Sequence, residues 1–218
     1  MFSFEPIPDI HRVLSANRAL YGVHGHAFNA GLSHAPGRAQ FTYYPGLSVL
    51  SGQYADATKD RETSLAYDRF ANPDRDDAKR EQLASRATEG VLVDCELLTL
   101  SDVMAKNGVE EVHLLKVDVE KAELDVLRGV RAEDWPRIRH VVVEAQGADR
   151  IRDVQELLRS NGLEITKVED DPACDDMALI YARNETVATA HKATLAPRTL
   201  PRLADCFRCG EVVISPYE

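Results

Sequence analysis

Three acidic residues follow short apolar runs that are typical of buried β-strands: Glu5, Asp118 and Glu144. In an open α/β sheet, ligands bind outside the carboxyl ends of the strands, because loops and helix N-termini converge there. Glu5 could accept two hydrogen bonds from a ribose diol, or could cap the helix entered at Pro8. Asp118 and Glu144 could bind a divalent ion, hold a sulfonium cation or take a proton from a hydroxyl group. Hydrogen bonding to loop amides is the alternative for Glu144.

The hydrophobic period changes within residues 114–129, LLKVDVEKAELDVLRG, from a buried strand to a helix. We predict that the helix begins directly after Asp118, where its dipole would stabilise Glu120 by a few tenths to about 1 kcal/mol. Glu120 and Glu123 are therefore interpreted as helix-start and surface charges. Asp118 ends a buried strand, so its carboxylate must face the site or lie beside Lys116, since burying an unpaired charge is costly.

The elements that must position these acids alternate between strand and helix periodicity from residue 91 onward. Such alternation predicts an α/β fold with a mostly parallel sheet covered on both faces, closed by a C-terminal antiparallel hairpin. The predicted strands are residues 1–5, 26–33, 39–45, 91–98, 111–119, 138–145, 163–169 and 177–183, and the predicted helices are 6–22, 99–108, 120–129 and 151–162.

Two regions depart from this pattern. Residues 46–90 are polar and charge-dense, with few apolar residues at either period, which predicts an exposed, partly helical insertion. The insertion could be a lid over the site or a mobile surface loop. Residues 184–218 read as an extended tail, so one main domain is expected over residues 1–183.

Composition limits the classes of partner. The formal charge of −10 opposes nucleic acid and anionic membranes, and we expect neither as a partner. No apolar run is long enough for a membrane span and the N-terminus lacks a signal-peptide pattern, so a cytoplasmic location is expected. Cys206 and Cys209 form a single CxxC pair, which favours reduced thiols over a zinc site, and no metal is predicted.

Five segments together resemble the FkbM-type family of S-adenosylmethionine-dependent methyltransferases. They are FSFEPIPDIHRVLSAN, NAGLSHAPGRAQFTYYP, TLSDVM, LLKVDVEKAELDVLRG and HVVVEAQG. The resemblance implies a Rossmann-like class I methyltransferase sheet with S-adenosylmethionine as cofactor. It also implies methyl transfer to a hydroxyl oxygen of a small-molecule acceptor, in natural-product or sugar pathways.

The resemblance also implies roles for single residues. Glu5 is the ribose-binding acid, Asn29 and Ala30 lie near the adenine edge, and Asp118 lies at the methyl-transfer face and contacts the cofactor. Because Glu144 stands at a strand end, it is predicted to join Asp118 as a catalytic carboxylate.

The sequence departs from the family pattern in two places. Lys121 stands where the family usually has glycine, and its bulk and charge would narrow the approach to the site. The family also places a strand and a glycine-rich turn before the strand that ends at Glu5, in the middle of the sheet. We therefore expect an N-terminally truncated sheet, in which two central strands would lack backbone partners. A complementing N-terminal segment, or the tail segment EVVISPYE, is a conceivable replacement.

Two other functions stay open. The chain could be a non-catalytic methyltransferase-like remnant or partner subunit, and a homo-oligomer is possible. A nicotinamide dehydrogenase could also use Glu5 as a ribose acid. It would need a GxGxxG turn that the sequence lacks, and the closing hairpin fits methyltransferase topology better.

Overall fold

The computed structural model describes residues 1–172 and 176–184, and the backbone of residues 212–213. The strands are β1 (Phe2–Phe4), β2 (His26–Phe28), β3 (Gly31–Leu32), β4 (Gly37–Tyr43), β5 (Val91–Leu98), β6 (Val112–Val117), β7 (Ile138–Gln146), β8 (Leu163–Asp170), β9 (Met177–Asn184) and β10 (Val212–Val213). The α-helices are α1 (Pro8–Leu20), α2 (Ala57–Ala71), α3 (Asp77–Ala87), α4 (Leu100–Lys106), α5 (Glu123–Arg128) and α6 (Ala148–Ser160).

The main sheet has the strand order β2-β1-β10-β6-β7-β9-β8. The first five strands in this order are parallel to their neighbours, whereas β9 runs antiparallel to both β7 and β8. The predicted mixture of α and β elements and the predicted antiparallel hairpin are thus confirmed. The parallel strands end at one edge of the sheet, where the predicted site acids Glu5 and Asp118 follow β1 and β6, and Glu144 lies two residues before the end of β7.

Strand β10 comes from the distant end of the chain and lies between β1 and β6. Val212 is in register with Phe2 of β1 and with Leu115 of β6. The tail thus contributes a short parallel strand at the place where the family resemblance puts its first strand. Cys206 and Cys209 lie outside the described residues.

A second sheet has the order β3-β5-β4 and packs beside the end of β1. Strands β4 and β5 pair antiparallel over seven register pairs, although the insertion at residues 46–90 separates them in sequence. Ile7, Phe41, Cys95 and Leu97 form a buried apolar cluster between this small sheet and the start of α1. The small sheet thereby supplies one wall of the region next to Glu5.

The main hydrophobic core consists of aliphatic side chains from the central strands and the covering helices. Its fully buried members include Leu115, Val117, Val141, Val143, Val126, Leu127, Val154, Leu158 and Ile180. Burial of this kind contributes about 1.5–3 kcal/mol for each large aliphatic side chain. Within the described part of the chain, no helix is long and apolar enough to cross a membrane.

Candidate active site

Strand register places Asp118 and Glu144 side by side. The parallel pairing of β6 with β7 ends at Val117 and Val143, so Asp118, which follows β6, lies next to Glu144, which continues in β7 and pairs with Leu179 of β9. The pKa of Glu144 is raised, first by burial and then by the negative charge of Asp118. Asp118 and Glu144 are therefore neighbours at this edge of the sheet, while their catalytic role stays a prediction.

A cavity lies at this edge between β1, the small sheet and the loop after β6, with about 580 Å³ of empty space including its open mouth. Its apolar walls include Phe4, Ile7, Leu32, Phe41 and Val119. Its carboxylates are Glu5, Asp118 and Glu120. The cavity thus brings together two of the predicted site acids and one residue that was predicted to lie outside the site.

Glu144 faces a different cavity. The second cavity is lined by acids of the β8–β9 connection and by Met177, and Glu144 forms part of its wall. The adjacent strand ends therefore direct Asp118 and Glu144 toward two neighbouring spaces. No group of three or more His, Cys, Asp or Glu side chains suited to a metal ion occurs among the residues that the structure describes.

Glu5 is a buried carboxylate on the cavity wall, with 3% of its surface exposed. Its Oε1 accepts a hydrogen bond of 2.7 Å from the backbone N–H of Ile7, directly before α1. Burial raises the pKa of Glu5 to about 7, and this hydrogen bond opposes the rise. Both interpretations of Glu5 therefore fit its position, because it binds backbone next to a helix start and also lines the cavity.

Asn29 and Ala30 lie behind the cavity wall. The Asn29 side-chain amide donates to the carbonyl oxygens of Glu5 and Pro6, at 3.0 Å in each case. Ala30 is buried, and the next residue, Gly31, reaches the cavity. These contacts hold the loop that carries Glu5, and the predicted proximity of Asn29 and Ala30 to an adenine edge stays a prediction.

Asp118 lines the cavity and is also ion-paired. Lys116, two residues earlier on β6, donates from Nζ to Asp118 Oδ2 at 3.0 Å. Asp118 therefore both lines the cavity and lies beside Lys116, the two positions that the sequence left open. The paired ammonium group offsets the cost of holding this carboxylate in a partly buried position.

The loop after Asp118 corrects the predicted helix start. Helix α5 begins at Glu123, and the residues before it leave helical geometry, with φ of 48° at Glu120 and 75° at Lys121. Side chains other than glycine seldom adopt this left-handed backbone, which costs on the order of 1–3 kcal/mol per residue. The apolar residues of α5 that pack into the core, Val126 and Leu127, are also consistent with this later start.

The interpretation of Glu120 and Glu123 as surface charges is wrong. Glu123 is 2% exposed, and its Oε1 accepts a 2.7 Å hydrogen bond from the backbone N–H of Lys121. Burial raises the pKa of Glu123 to about 7. Burial also raises the pKa of Glu120 to about 8, with further contributions from Asp118, Glu144 and Glu123.

Lys121 extends away from the cavity toward the insertion. Its Nζ lies 2.5 Å from Oδ1 of Asp60, a residue of α2 that is 1% exposed. The other oxygen of Asp60 accepts hydrogen bonds from the Tyr44 hydroxyl at 3.0 Å and from the Asp56 N–H at 2.7 Å. The Lys121–Asp60 ion pair therefore joins the strained loop to the insertion, and no feature of the charge-dense segment singled out Asp60 in advance.

The insertion at residues 46–90 is partly helical, as predicted, and it contacts α5 and the β8–β9 connection. The Tyr54 hydroxyl donates to Asp125 at 2.6 Å, and the Tyr67 hydroxyl donates to Asp171 at 3.4 Å. A Cβ atom at Gly52 would lie 3.3 Å from Cβ and the backbone oxygen of Glu120, so glycine allows the close approach of these two loops. The insertion thus forms one side of the candidate site, and its role as a lid stays a prediction.

In open α/β sheets, ligands bind outside the carboxyl ends of the parallel strands, which is where this cavity and its carboxylates lie. Comparison with known proteins identifies the class: the methyltransferase FkbM domain matches residues 1–171. The chain belongs to the FkbM methyltransferase family.

Three relatives illustrate the match. The chain is 34% identical to the 31-O-demethyl-FK506 methyltransferase FkbM of Streptomyces tacrolimicus over 78% of its own length, and it spans 65% of that protein. It is 35% identical to methyltransferase sdnD of Sordaria araneosa over 85% of its own length and 72% of that protein. It is 34% identical to the AMB antimetabolite synthetase AmbE of Pseudomonas aeruginosa over 77% of its own length and 8% of that protein. No solved structure matches the chain significantly.

Proposed function

We propose that this chain binds S-adenosylmethionine in the cavity between β1 and the loop after β6, and methylates a hydroxyl oxygen of a natural-product or sugar-like small molecule. Family membership supports methyl transfer. The name of the Streptomyces relative, a 31-O-demethyl-FK506 methyltransferase, supports an oxygen acceptor. That name refers to the relative's own substrate. For this chain we therefore propose only the chemical class of the acceptor.

The observation that carries the proposal is the buried Glu5 carboxylate at the end of β1. A carboxylate at this position can accept hydrogen bonds from a ribose diol, and the apolar side chains beside it offer a surface for a planar base. Glu5 and Asp118 would hold the cofactor. When bound, S-adenosylmethionine supplies an activated methyl group on a sulfonium sulfur.

Asp118 and Glu144 would have different roles in methyl transfer. Asp118 is paired with Lys116, which makes it a fixed charge at the methyl-transfer face. Glu144 has a raised pKa and lines the second cavity, which suits a group that accepts the hydroxyl proton. Glu5 and Asp118 would hold the cofactor and Glu144 would take the hydroxyl proton, so that positioning of the acceptor oxygen by these residues would supply most of the rate.

The first test is calorimetric titration of the purified chain with S-adenosylhomocysteine, repeated with Glu5→Gln. Loss of a charge-assisted hydrogen bond should weaken binding about tenfold or more. Asp9→Asn is the matched control, because Asp9 is an exposed acid four residues away that pairs with Arg12 at the surface. A folded chain without affinity, or equal affinities for both variants, would contradict this assignment of the site.

A non-catalytic remnant or partner subunit is the second candidate. The observation in its favour is the brevity of β10, since two residues occupy the position between β1 and β6 in the described structure. The sequence after them, ISPYE, contains no glycine that could let a phosphate or carboxylate approach the backbone closely. A chain that folds normally and shows no affinity for S-adenosylhomocysteine would support this second function. If adding a segment with the family's glycine-rich turn then restored the affinity, that turn would be the feature that the chain lacks for cofactor binding.

A further inference from the structure

We propose that Glu120 is the carboxylate that holds the positive charge of a sulfonium ligand in this cavity, and so distinguishes S-adenosylmethionine from the neutral S-adenosylhomocysteine. The inference rests on the proposed function, because it assumes that this cavity takes the cofactor. It assigns to Glu120 a role that the sequence pattern gave to Asp118 and Glu144.

The backbone conformation of the loop after Asp118 keeps Glu120 at the cavity. Glu120 and Lys121 both have left-handed backbone geometry, and Glu120 is on the cavity wall. Such geometry persists only where surrounding contacts enforce it. Here the enforcing contacts are the ion pair from Lys121 to Asp60 and the hydrogen bond from the Lys121 N–H to Glu123. The loop is therefore held in a conformation that keeps Glu120 at the cavity.

The other carboxylates near the cavity already have protein partners. Glu5 accepts the Ile7 N–H, and Asp118 accepts the Lys116 ammonium group. Glu144 lines the second cavity. Across residues 1–172 and 176–184, no hydrogen bond or ion pair to the Glu120 carboxylate is formed, which leaves its charge available to a ligand.

The charges around Glu120 make a bound cation favourable. Asp118, Glu144 and Glu123 disfavour its ionised form, Lys121 favours it slightly, and Glu5 lines the same cavity. Because burial and these acids raise the pKa of Glu120 to about 8, much of this side chain is protonated at pH 7 in the free protein. A ligand cation beside it favours ionisation, so binding should release a proton.

The test compares two ligands that differ in the sulfonium methyl group. Titrations of the full chain with S-adenosylmethionine and with S-adenosylhomocysteine, at pH 7 in phosphate and in Tris, give the protons released from the difference in heat between buffers. We expect greater proton release with S-adenosylmethionine. Glu120→Gln should abolish that excess and weaken S-adenosylmethionine at least about tenfold, while leaving S-adenosylhomocysteine within about twofold.

Glu123→Gln is the matched control, because it removes a neighbouring buried acid of the same loop that does not line the cavity. The Glu123→Gln variant should retain most of the difference in affinity and in proton release between S-adenosylmethionine and S-adenosylhomocysteine. Equal weakening of both ligands by Glu120→Gln would show that Glu120 supports the loop structure only, and unchanged binding of both would show that it has no role. Failure of the unmodified chain to bind either ligand would instead overturn the proposed function and this inference with it.

Discussion

The acids of the candidate site are placed in two different ways. Asp118 follows β6 and Glu144 lies near the end of β7, two strands whose register is fixed by five backbone-paired positions and a buried aliphatic core. Glu120 and Glu123 are placed by a left-handed turn that an ion pair with a distant helix holds in place. The first arrangement depends on the sheet, whereas the second depends on the insertion. Mutations should therefore affect the two pairs of acids separately.

The largest expected effect is on the sheet. Leu115 is fully buried in the middle of β6, so Leu115→Ala should destabilise the fold by about 2–5 kcal/mol through lost burial and a residual cavity. Urea unfolding followed by circular dichroism measures this change. Leu92→Ala is the control, because Leu92 is 66% exposed on β5 and its truncation should stay within about 0.5 kcal/mol. Similar losses at both positions would contradict the assigned core.

The second effect is on the contact between the insertion and the turn. Asp60→Asn removes the charge that pairs with Lys121, and it should cost about 1.5–3 kcal/mol because both groups are largely buried. Hydrogen exchange should increase in α2 and in residues 118–122, with little change in β6 and β7. Glu81→Gln is the control, since Glu81 pairs with Arg61 at an exposed position between α2 and α3. An equal increase of hydrogen exchange in β6 and β7 would show that the strands and the turn do not behave independently.

The sequence predicted the sheet-placed acids because local patterns determine them. An apolar run followed by an acid identifies Asp118 and Glu144, and strand–helix alternation implies that their strands run parallel. The turn-placed acids could not be predicted in the same way. The DVEK sequence is compatible with a helix start, and the contact that enforces another conformation comes from Asp60, about 60 residues earlier in a segment of many charges.

Strand β10 shows the same limitation at the level of the fold. Its two valines carry too little pattern to be assigned to a central position, because a parallel pair formed by remote segments depends on the rest of the sheet. Family resemblance indicated where a strand was missing, and the tail was considered as a replacement. Periodicity alone could not decide between the tail and a separate segment.

The third prediction concerns pH. Glu120 has a pKa of about 8 in the folded chain against an ordinary value of 4.5, so the folded state holds more protons than the unfolded state between these pH values. Stability should therefore fall as pH rises through this window, and Glu120→Gln should remove a loss on the order of 2 kcal/mol. Urea unfolding of both proteins at pH 4 and pH 8 measures the difference. Glu5 and Glu123 also have raised pKa values, so the variant should keep part of the slope. Parallel pH profiles for the two proteins would contradict a buried, protonatable Glu120.

The smallest expected effect separates backbone strain from the ion pair at Lys121. Both Lys121→Gly and Lys121→Ala delete the ammonium group that binds Asp60, but glycine tolerates the φ of 75° at this position whereas alanine does not. The glycine variant should therefore be more stable than the alanine variant by about 1 kcal/mol. Equilibrium unfolding of the two variants in urea measures this difference. Equal stability of the two variants would mean that the ion pair with Asp60, rather than the local sequence, imposes the left-handed turn. Either result shows how strongly the insertion controls the turn that presents Glu120, a dependence that the strand-end acids should not share.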